Sequence, residues 1–233
     1  TITGNEWAHM VDDFTQIKEG AVDPTNDLIA SASLALGRER DKVIIDAADA
    51  DVVRKNANGS VSTVSFNAGS NREVAVNYDP STTVVSNLTI GKLLQARYLM
   101  EAANGLGSNG MAYYIGSPAQ KMSLLRTTQV TSADYNSVRA LVNGDIDTFL
   151  GIKFIWTNQL NFVTGQATYE KGLLIAPRTI QLNYGSGSKF NMQFSVDRIP
   201  TKKNNWQIFY KEWLGAARRD DAKVVRVICD NSK

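Results

Sequence analysis

The sequence predicts an α+β fold, and three observations carry that expectation. Residues 23–48, DPTNDLIASASLALGRERDKVIIDAA, have the pattern of one long helix. Phe190, Met192, Phe194 and Val196 alternate with Asn191, Gln193 and Ser195, and Trp206, Ile208, Tyr210, Glu212 and Leu214 alternate in the same way, so two half-buried strands pair as a long hairpin. Around these elements, helices and strands do not follow the regular βαβ order of a parallel sheet.

The long helix has a strong start. Asp23 supplies a capping carboxylate, and Pro24 occupies the first helical position, where no N–H is needed. Leu28, Ala32, Leu36, Val43 and Ala47 then fall along one face. About 25 residues of helix span about 37 Å, and Gly37 weakens it by about 1 kcal/mol relative to alanine, which leaves room for a bend there. The second half carries Arg38, Glu39, Arg40, Asp41, Lys42 and Asp46, with Arg38 and Asp41, and Lys42 and Asp46, at contact spacing. A charge run of this kind is ordinarily a solvated face; the sharper reading is a beam that carries neighbouring subunits on its charged side.

The remaining elements follow in order. Residues 1–22 have little periodicity and read as an arm, with Trp7, Met10, Val11 and Phe14 placed to dock one short helical turn. Val61–Phe66 and Val74–Tyr78 have the β-branched and aromatic content of short strands, with turns at Asn58-Gly59 and Asn67–Asn71. Leu88–Asn104 is a second helix, capped by Thr89 and stopped by Gly105. Met111–Ile115 reads as a buried strand. Ser117-Pro118-Ala119-Gln120 is a capping box that opens a short helix through Met122, Leu124 and Leu125. A further helix is expected from Ser132 to the stop at Asn143-Gly144. Phe149–Trp156 reads as one strand, Gly172–Ala176 as a short buried strand, Gly185–Ser188 as a flexible lead-in, Pro200–Asn205 as the hairpin turn and Lys223–Cys229 as the closing strand.

Composition excludes several function classes. The chain has 233 residues, 43% hydrophobic and 21% charged, an ordinary globular balance that fits one domain or two sharing strands. A net charge of +2 makes no electrostatic case for a dedicated nucleic-acid binder. No apolar run is long enough to span a membrane. The opening residues TITGNEWAHM carry no signal-peptide pattern, and Thr1 in place of Met implies a chain that is processed or represented from a later point. Cys229 is the lone cysteine, so no internal disulfide forms, in keeping with a reducing cytoplasm.

Little chemistry is available. The lone histidine, His9, stands in the arm-like segment with no acid or nucleophile at a catalytic spacing. One His and one Cys do not make a structural zinc site. Gly105-Leu-Gly107-Ser-Asn-Gly110 matches G-x-G-x-x-G, but the dinucleotide mechanism needs a strand before it and a helix after it, and here a helix precedes and a strand follows. No catalytic, cofactor-binding or metal-binding residue is therefore assigned, and no cofactor is expected. Trp156, Trp206 and Trp213 lie in strand-like segments, where they serve either the core or subunit contact.

The order of four stretches resembles the major capsid proteins of tailed bacteriophages, with the Hong Kong 97-type fold. The first is Asp23-Pro24 through Ala35-Leu-Gly37-Arg38 to Asp41 and Ile44-Ile45-Asp-Ala47, similar to the family's long spine helix. The second is Leu88-Thr89, Lys92-Leu93 and Ala96. The third runs from Tyr114-Ile-Gly-Ser117-Pro118 through Leu124-Leu125, Asp134-Tyr135, Ala140-Leu141-Val142, Asn143-Gly144 and Phe149-Leu-Gly151-Ile152. The fourth is Gly215-Ala216-Ala217-Arg218 with Val224-Val225-Arg226-Val227. The resemblance covers roughly residues 20 to 230; each motif is weak alone, and their order carries the signal.

The resemblance implies a shell subunit of a bacteriophage icosahedral capsid, not an enzyme. Its expected parts are 1–22, a remnant of the N-terminal arm and extended loop; 23–48, the spine helix of a peripheral domain; 49–182, an axial domain; 183–215, the peripheral-domain strands with the long β-hairpin; and 216–233, a closing strand returning to the axial domain. It implies self-assembly into hexamers and pentamers, with portal and scaffolding or decoration proteins as partners. It also implies packaged double-stranded DNA held without sequence specificity, no membrane partner, location in the virion, and assembly in the host bacterial cytoplasm. Only about 22 residues precede the spine helix, fewer than family members usually have. The lysine–asparagine cross-link of some members finds no matching local pattern here. Within this reading the charged half of the helix is expected to matter for assembly more than for folding, so that reversing Arg40 and Lys42 to Glu leaves a soluble subunit that forms no shells. Alternatives are an encapsulin-like bacterial nanocompartment shell and, from another class, a nucleotide-binding enzyme.

Overall fold

A computed structural model describes residues 3–11, 24–66, 71–78, 84–106, 110–126, 148–185, 193–203 and 205–233. The chain divides into two compact units, one of residues 1–44 and 182–217, the other of residues 45–181 and 218–233. The cap Asp23, the expected helix at 132–143, the strand start Phe190–Met192 and the lead-in 186–188 lie outside the described residues.

The first unit is organised by the helix α1 (Pro24–Asp49), which leaves it after Ile44. At 26 residues the helix is about 39 Å long. It continues through Gly37, where an added Cβ would meet nothing within 4 Å. Gly37 therefore costs helix propensity without breaking the hydrogen-bond ladder.

Its sheet contains β1 (Thr3–Val11), β9 (Ile180–Tyr184), β10 (Gln193–Ile199) and β11 (Asn205–Arg218), in the order β1-β11-β10 with β9 also on β11. The expected hairpin is β10 antiparallel to β11, from Gln193 opposite Lys211 to Ile199 opposite Asn205. Ile208, Tyr210, Glu212 and Leu214 are buried at every second position, as the period of two requires. Its tip is a 3-10 turn, Pro200–Lys202, followed by Lys203 in the left-handed region at φ 54°.

Two expectations change in this unit. The opening segment is a strand rather than a helical turn: Thr3 through Val11 pair with Leu214 through Trp206. It lacks apolar alternation because one row of its backbone groups is satisfied along β11 while most of its side chains stay exposed. Gly4 lies under the Trp213 ring, with an added Cβ about 3.0 Å from ring carbons, so the cross-strand indole fills the place a side chain would take. β9 was not foreseen, although Ile180, Leu182 and Tyr184 alternate.

The second unit holds a six-stranded sheet of β4 (Glu73–Val74), β12 (Val224–Asp230), β8 (Tyr169–Ile175), β5 (Ala112–Gly116), β7 (Ile152–Trp156) and β6 (Thr148–Phe149), in that order. β5 and β7 run parallel, and β8 is antiparallel to both β5 and β12. The helix α2 (Ile90–Ala102) packs Leu93, Ala96 and Met100 against Val225, Val227 and Cys229 of β12, in a core that also takes Tyr114, Leu124, Ile152 and Leu174. Each fully buried aliphatic side chain there contributes about 1.5–3 kcal/mol. A short helix α3 (Pro118–Arg126) opens on the capping box foreseen: Gln120 N donates to Ser117 Oγ, and Ser117 N to Gln120 Oε1, both at 3.4 Å. A separate hairpin joins β2 (Val52–Lys55) to β3 (Val61–Val64) through the Asn58-Gly59 turn.

Three details depart from the sequence expectations in this unit. Phe149–Trp156 is two strands, because Leu150 and Gly151 both have positive φ, 55° and 71°, and make a two-residue hairpin loop. The strand expected at Val74–Tyr78 ends at Val74, since Tyr78 N turns back to Ala75 O at 3.0 Å. Thr89 caps α2, its hydroxyl accepting from Lys92 N, but the left-handed stop is Asn104 at φ 53° rather than Gly105. Gly105 N closes the stop on Met100 O at 2.8 Å. Glycine is needed there for a different reason: a Cβ on Gly105 would fall 2.0 Å from the Ala222 carbonyl oxygen.

Candidate functional site

The residues that a catalytic reading would need are kept apart. His9 is an exposed residue of β1, opposite Ile208 and stacked on Trp7 at 5.9 Å. Cys229 is buried, and burial pushes its thiol up to about 12. Among the described residues, no three His, Cys, Asp or Glu side chains gather to hold a metal. α2 ends just before Gly105 and β5 follows, the reverse of the dinucleotide-binding order. No described helix is long and apolar enough to cross a membrane.

The charge networks instead join distant parts of the chain within each unit. In the first unit Arg40 makes a fork on Glu212, Nε to Oε2 at 3.1 Å and Nη2 to Oε1 at 2.7 Å, and the Tyr210 hydroxyl donates to Oε2 at 2.6 Å. Burial alone would raise the Glu212 carboxyl. The hydrogen bonds from Arg40 and Tyr210 outweigh it and hold that carboxyl below the usual range. Arg40 is therefore tied into the fold, so reversing it costs stability as well as any contact it makes between copies. The alternation of its strand puts Glu212 on the apolar face, but the pairing leaves no local mark in the sequence, because the two residues lie 172 positions apart.

In the second unit Phe66 is ringed by Arg72, Arg218 and Arg226, whose guanidinium carbons stand 5.4, 5.0 and 4.7 Å from the ring centre. Arg218 donates through Nη1 to the carbonyls of Ala48 and Ala50 at 2.8 Å and through Nε to Asp221 Oδ1 at 2.6 Å. A buried arginine thus satisfies the carbonyl end of α1, where a cation is favoured. Asp49 receives Lys171 and Arg226, each at 2.7 Å, and Glu73 also receives Arg226. Burial would raise the Asp221 carboxyl, but the hydrogen bond and charge of Arg218, with Arg54 and Arg72, keep it low. These pairs make the start and end of the unit's chain one body.

Two surface features of the first unit stand out. A cavity of about 430 Å³ lies between β1 and α1, with Ala32, Ala35 and Leu36 on the helix side, Trp7 on the strand side, and Glu6 and Glu39 among its lining. The hairpin tip is basic and exposed, with Arg198, Lys202 and Lys203. Ala32 and Leu36 share one helix face in the sequence pattern; the groove leaves no such mark, because the strand that walls it has no period-two signal. The tryptophans divide as follows: Trp156 stacks on Phe154 at 5.3 Å, Trp206 lies under Arg198 at 4.6 Å, and Trp213 covers Gly4 with Lys211 5.3 Å from its ring. All three are half-buried.

A family model described as phage capsid protein matches residues 2–231. The chain belongs to the phage capsid protein family. It is a structural subunit of a capsid shell, a virion component built from many copies, and not an enzyme. Solved capsid structures share its fold at low identity. A chain from Mycobacterium phage Che8 matches with a TM-score of 0.66 and 15% identity, over 99% of this chain and 71% of that one. The capsid of Helicobacter pylori bacteriophage KHP30 matches at 0.63 and 12%, over 99% and 76%. The SrpI encapsulin of Synechococcus elongatus PCC 7942 matches at 0.57 and 11%, over 100% and 75%. No curated protein matches the chain. For a capsid protein the relevant surfaces are those that meet other copies.

Proposed function

We propose that this capsid protein is the major shell subunit of a tailed phage, assembling into hexamers and pentamers around double-stranded genomic DNA. The observation that carries the reading is the phage capsid family match along residues 2–231. Residues 23–48 act as the spine helix, 49–182 as the axial domain, 183–215 as the peripheral strands and 216–233 as the closing strand. No catalytic, cofactor or metal residue takes part. A net charge of +2 suits a wall that retains DNA without gripping it, since a strongly basic lining would bind phosphates tightly and in a salt-dependent way. Portal and scaffolding or decoration proteins complete the particle, which assembles in the cytoplasm of the host bacterium.

The likeness to an encapsulin keeps a nanocompartment as the second reading. Purified particles separate the two. Nuclease-resistant double-stranded DNA of genome length inside shells of this chain supports the phage reading. Shells that enclose a folded protein cargo and no DNA overturn it in favour of the nanocompartment.

A further inference from the structure

The first unit carries two surfaces that match each other and lie apart on the same chain. One is the tip of the β10–β11 hairpin. Residues 198–203, RIPTKK, hold three cations and no acid. Lys203 adopts φ 54°, a left-handed conformation that glycine or asparagine takes with less strain. A lysine at that position gives up local comfort for its side chain, which points to a contact made by the ammonium group.

The other surface is the groove between β1 and α1. Its floor of Ala32, Ala35 and Leu36 accepts an aliphatic stem, and Trp7 walls it. Glu6 and Glu39 line it, and among the described residues no Lys or Arg does. Lys211 Nζ, outside the lining, stands 3.9 Å from Glu6 Oε2, a long and solvent-exposed pair that leaves most of that carboxylate accessible.

The tip does not reach its own groove along this sheet. β1 residues Gly4 and Trp7 stand opposite Trp213 and Tyr210, seven to ten residues along β11 from Lys203. At about 3.3 Å per residue this is roughly 20–30 Å of paired strand. A second copy supplies both surfaces, so the tip of one can meet the groove of the next.

We propose that the β10–β11 tip of one copy docks in the β1–α1 groove of a neighbouring copy, placing Lys202 and Lys203 against Glu6 and Glu39. The inference rests on the shell reading and deepens it by naming one contact between copies. Because the two surfaces differ, the contact is heterologous: it passes from copy to copy and closes only when the rotation between copies allows a ring or shell.

Charge exchange tests it in the full chain, with folding checked by circular dichroism. The tip variant Lys202→Glu/Lys203→Glu and the groove variant Glu6→Lys/Glu39→Lys should each raise the concentration needed for assembly by about tenfold, because two exposed ion pairs per contact become repulsive. Combining all four substitutions should restore assembly to within about threefold of the original, the signature of a direct pair. Lys203→Gly, which suits the backbone, should keep the fold and still weaken assembly. Unchanged assembly in either charge variant, or no recovery in the combination, overturns the docking while leaving the shell reading intact. If neither the unaltered chain nor the full-length gene product forms shells, the shell reading falls first. The same variants are then compared by sedimentation equilibrium, where self-association lost in each charge variant and recovered in the combination supports the contact, and absence of self-association overturns it.

Discussion

Replacing Arg40 by methionine removes half of a buried fork while keeping most of the apolar stem. Glu212 is 2% exposed and Arg40 33% in their side chains. Removing one partner of a buried pair costs about 3–5 kcal/mol, because the other charge stays behind without compensation. Arg40 reaches solvent over a third of its surface and Tyr210 still donates to the carboxylate, so the expected loss is about 2–3 kcal/mol. At this chain length that is a fall of roughly 4–12 °C in Tm. The pH dependence gives the sign. Burial would raise the Glu212 carboxyl, and Arg40 with Tyr210 holds it down, so in the original protein its contribution is present above the unfolded carboxyl value of about 4.3 and is lost as pH falls through the lower folded value. In the variant burial dominates, the folded carboxyl rises, and protonation relieves it. The gap between the two proteins should therefore be widest at pH 7 and narrow toward about pH 4. Urea unfolding read by tryptophan fluorescence measures this, since Trp7, Trp206 and Trp213 belong to the unit that holds the pair and Trp156 to the other. A loss under about 0.5 kcal/mol at pH 7, or a gap that does not narrow on acidification, refutes the reasoning.

Three further outcomes are expected. Gly105→Ala should destabilise by about 1–3 kcal/mol in the same melts, because its Cβ meets the backbone oxygen of Ala222 and neither side yields easily. Lys203→Gly should instead stabilise the subunit by about 1 kcal/mol by relieving the left-handed lysine, read as a raised Tm. Cys229, pushed up to about 12 by burial, should not react with an aromatic disulfide reagent at pH 8 in the folded chain. In denaturant it should titrate as one thiol per chain.

The local signals in the sequence were the ones that served. The Ser117–Gln120 box, the Thr89 cap, the α1 pattern and the alternation of Trp206 to Leu214 are each written within a few residues, and each forms as its chemistry requires. What was not legible depends on distant partners. β1 has no alternation because pairing with β11, not burial, makes it a strand. Leu150 turns with Gly151 although leucine is a poor left-handed residue, so the run from Phe149 to Trp156 read as unbroken. The Arg40–Glu212 fork and the Arg218 clamp on the end of α1 join residues more than 160 positions apart. The groove inherits the invisibility of β1, and nothing in the residues around it marks Lys203 as left-handed.

The central claim is a subunit that works by assembling, and electron microscopy of the purified protein tests it most directly. The account predicts closed shells, or rings with five- and six-fold symmetry, whose walls accommodate the two units described above. A protein that stays monomeric or dimeric at high concentration, both alone and as the full-length gene product, would contradict it.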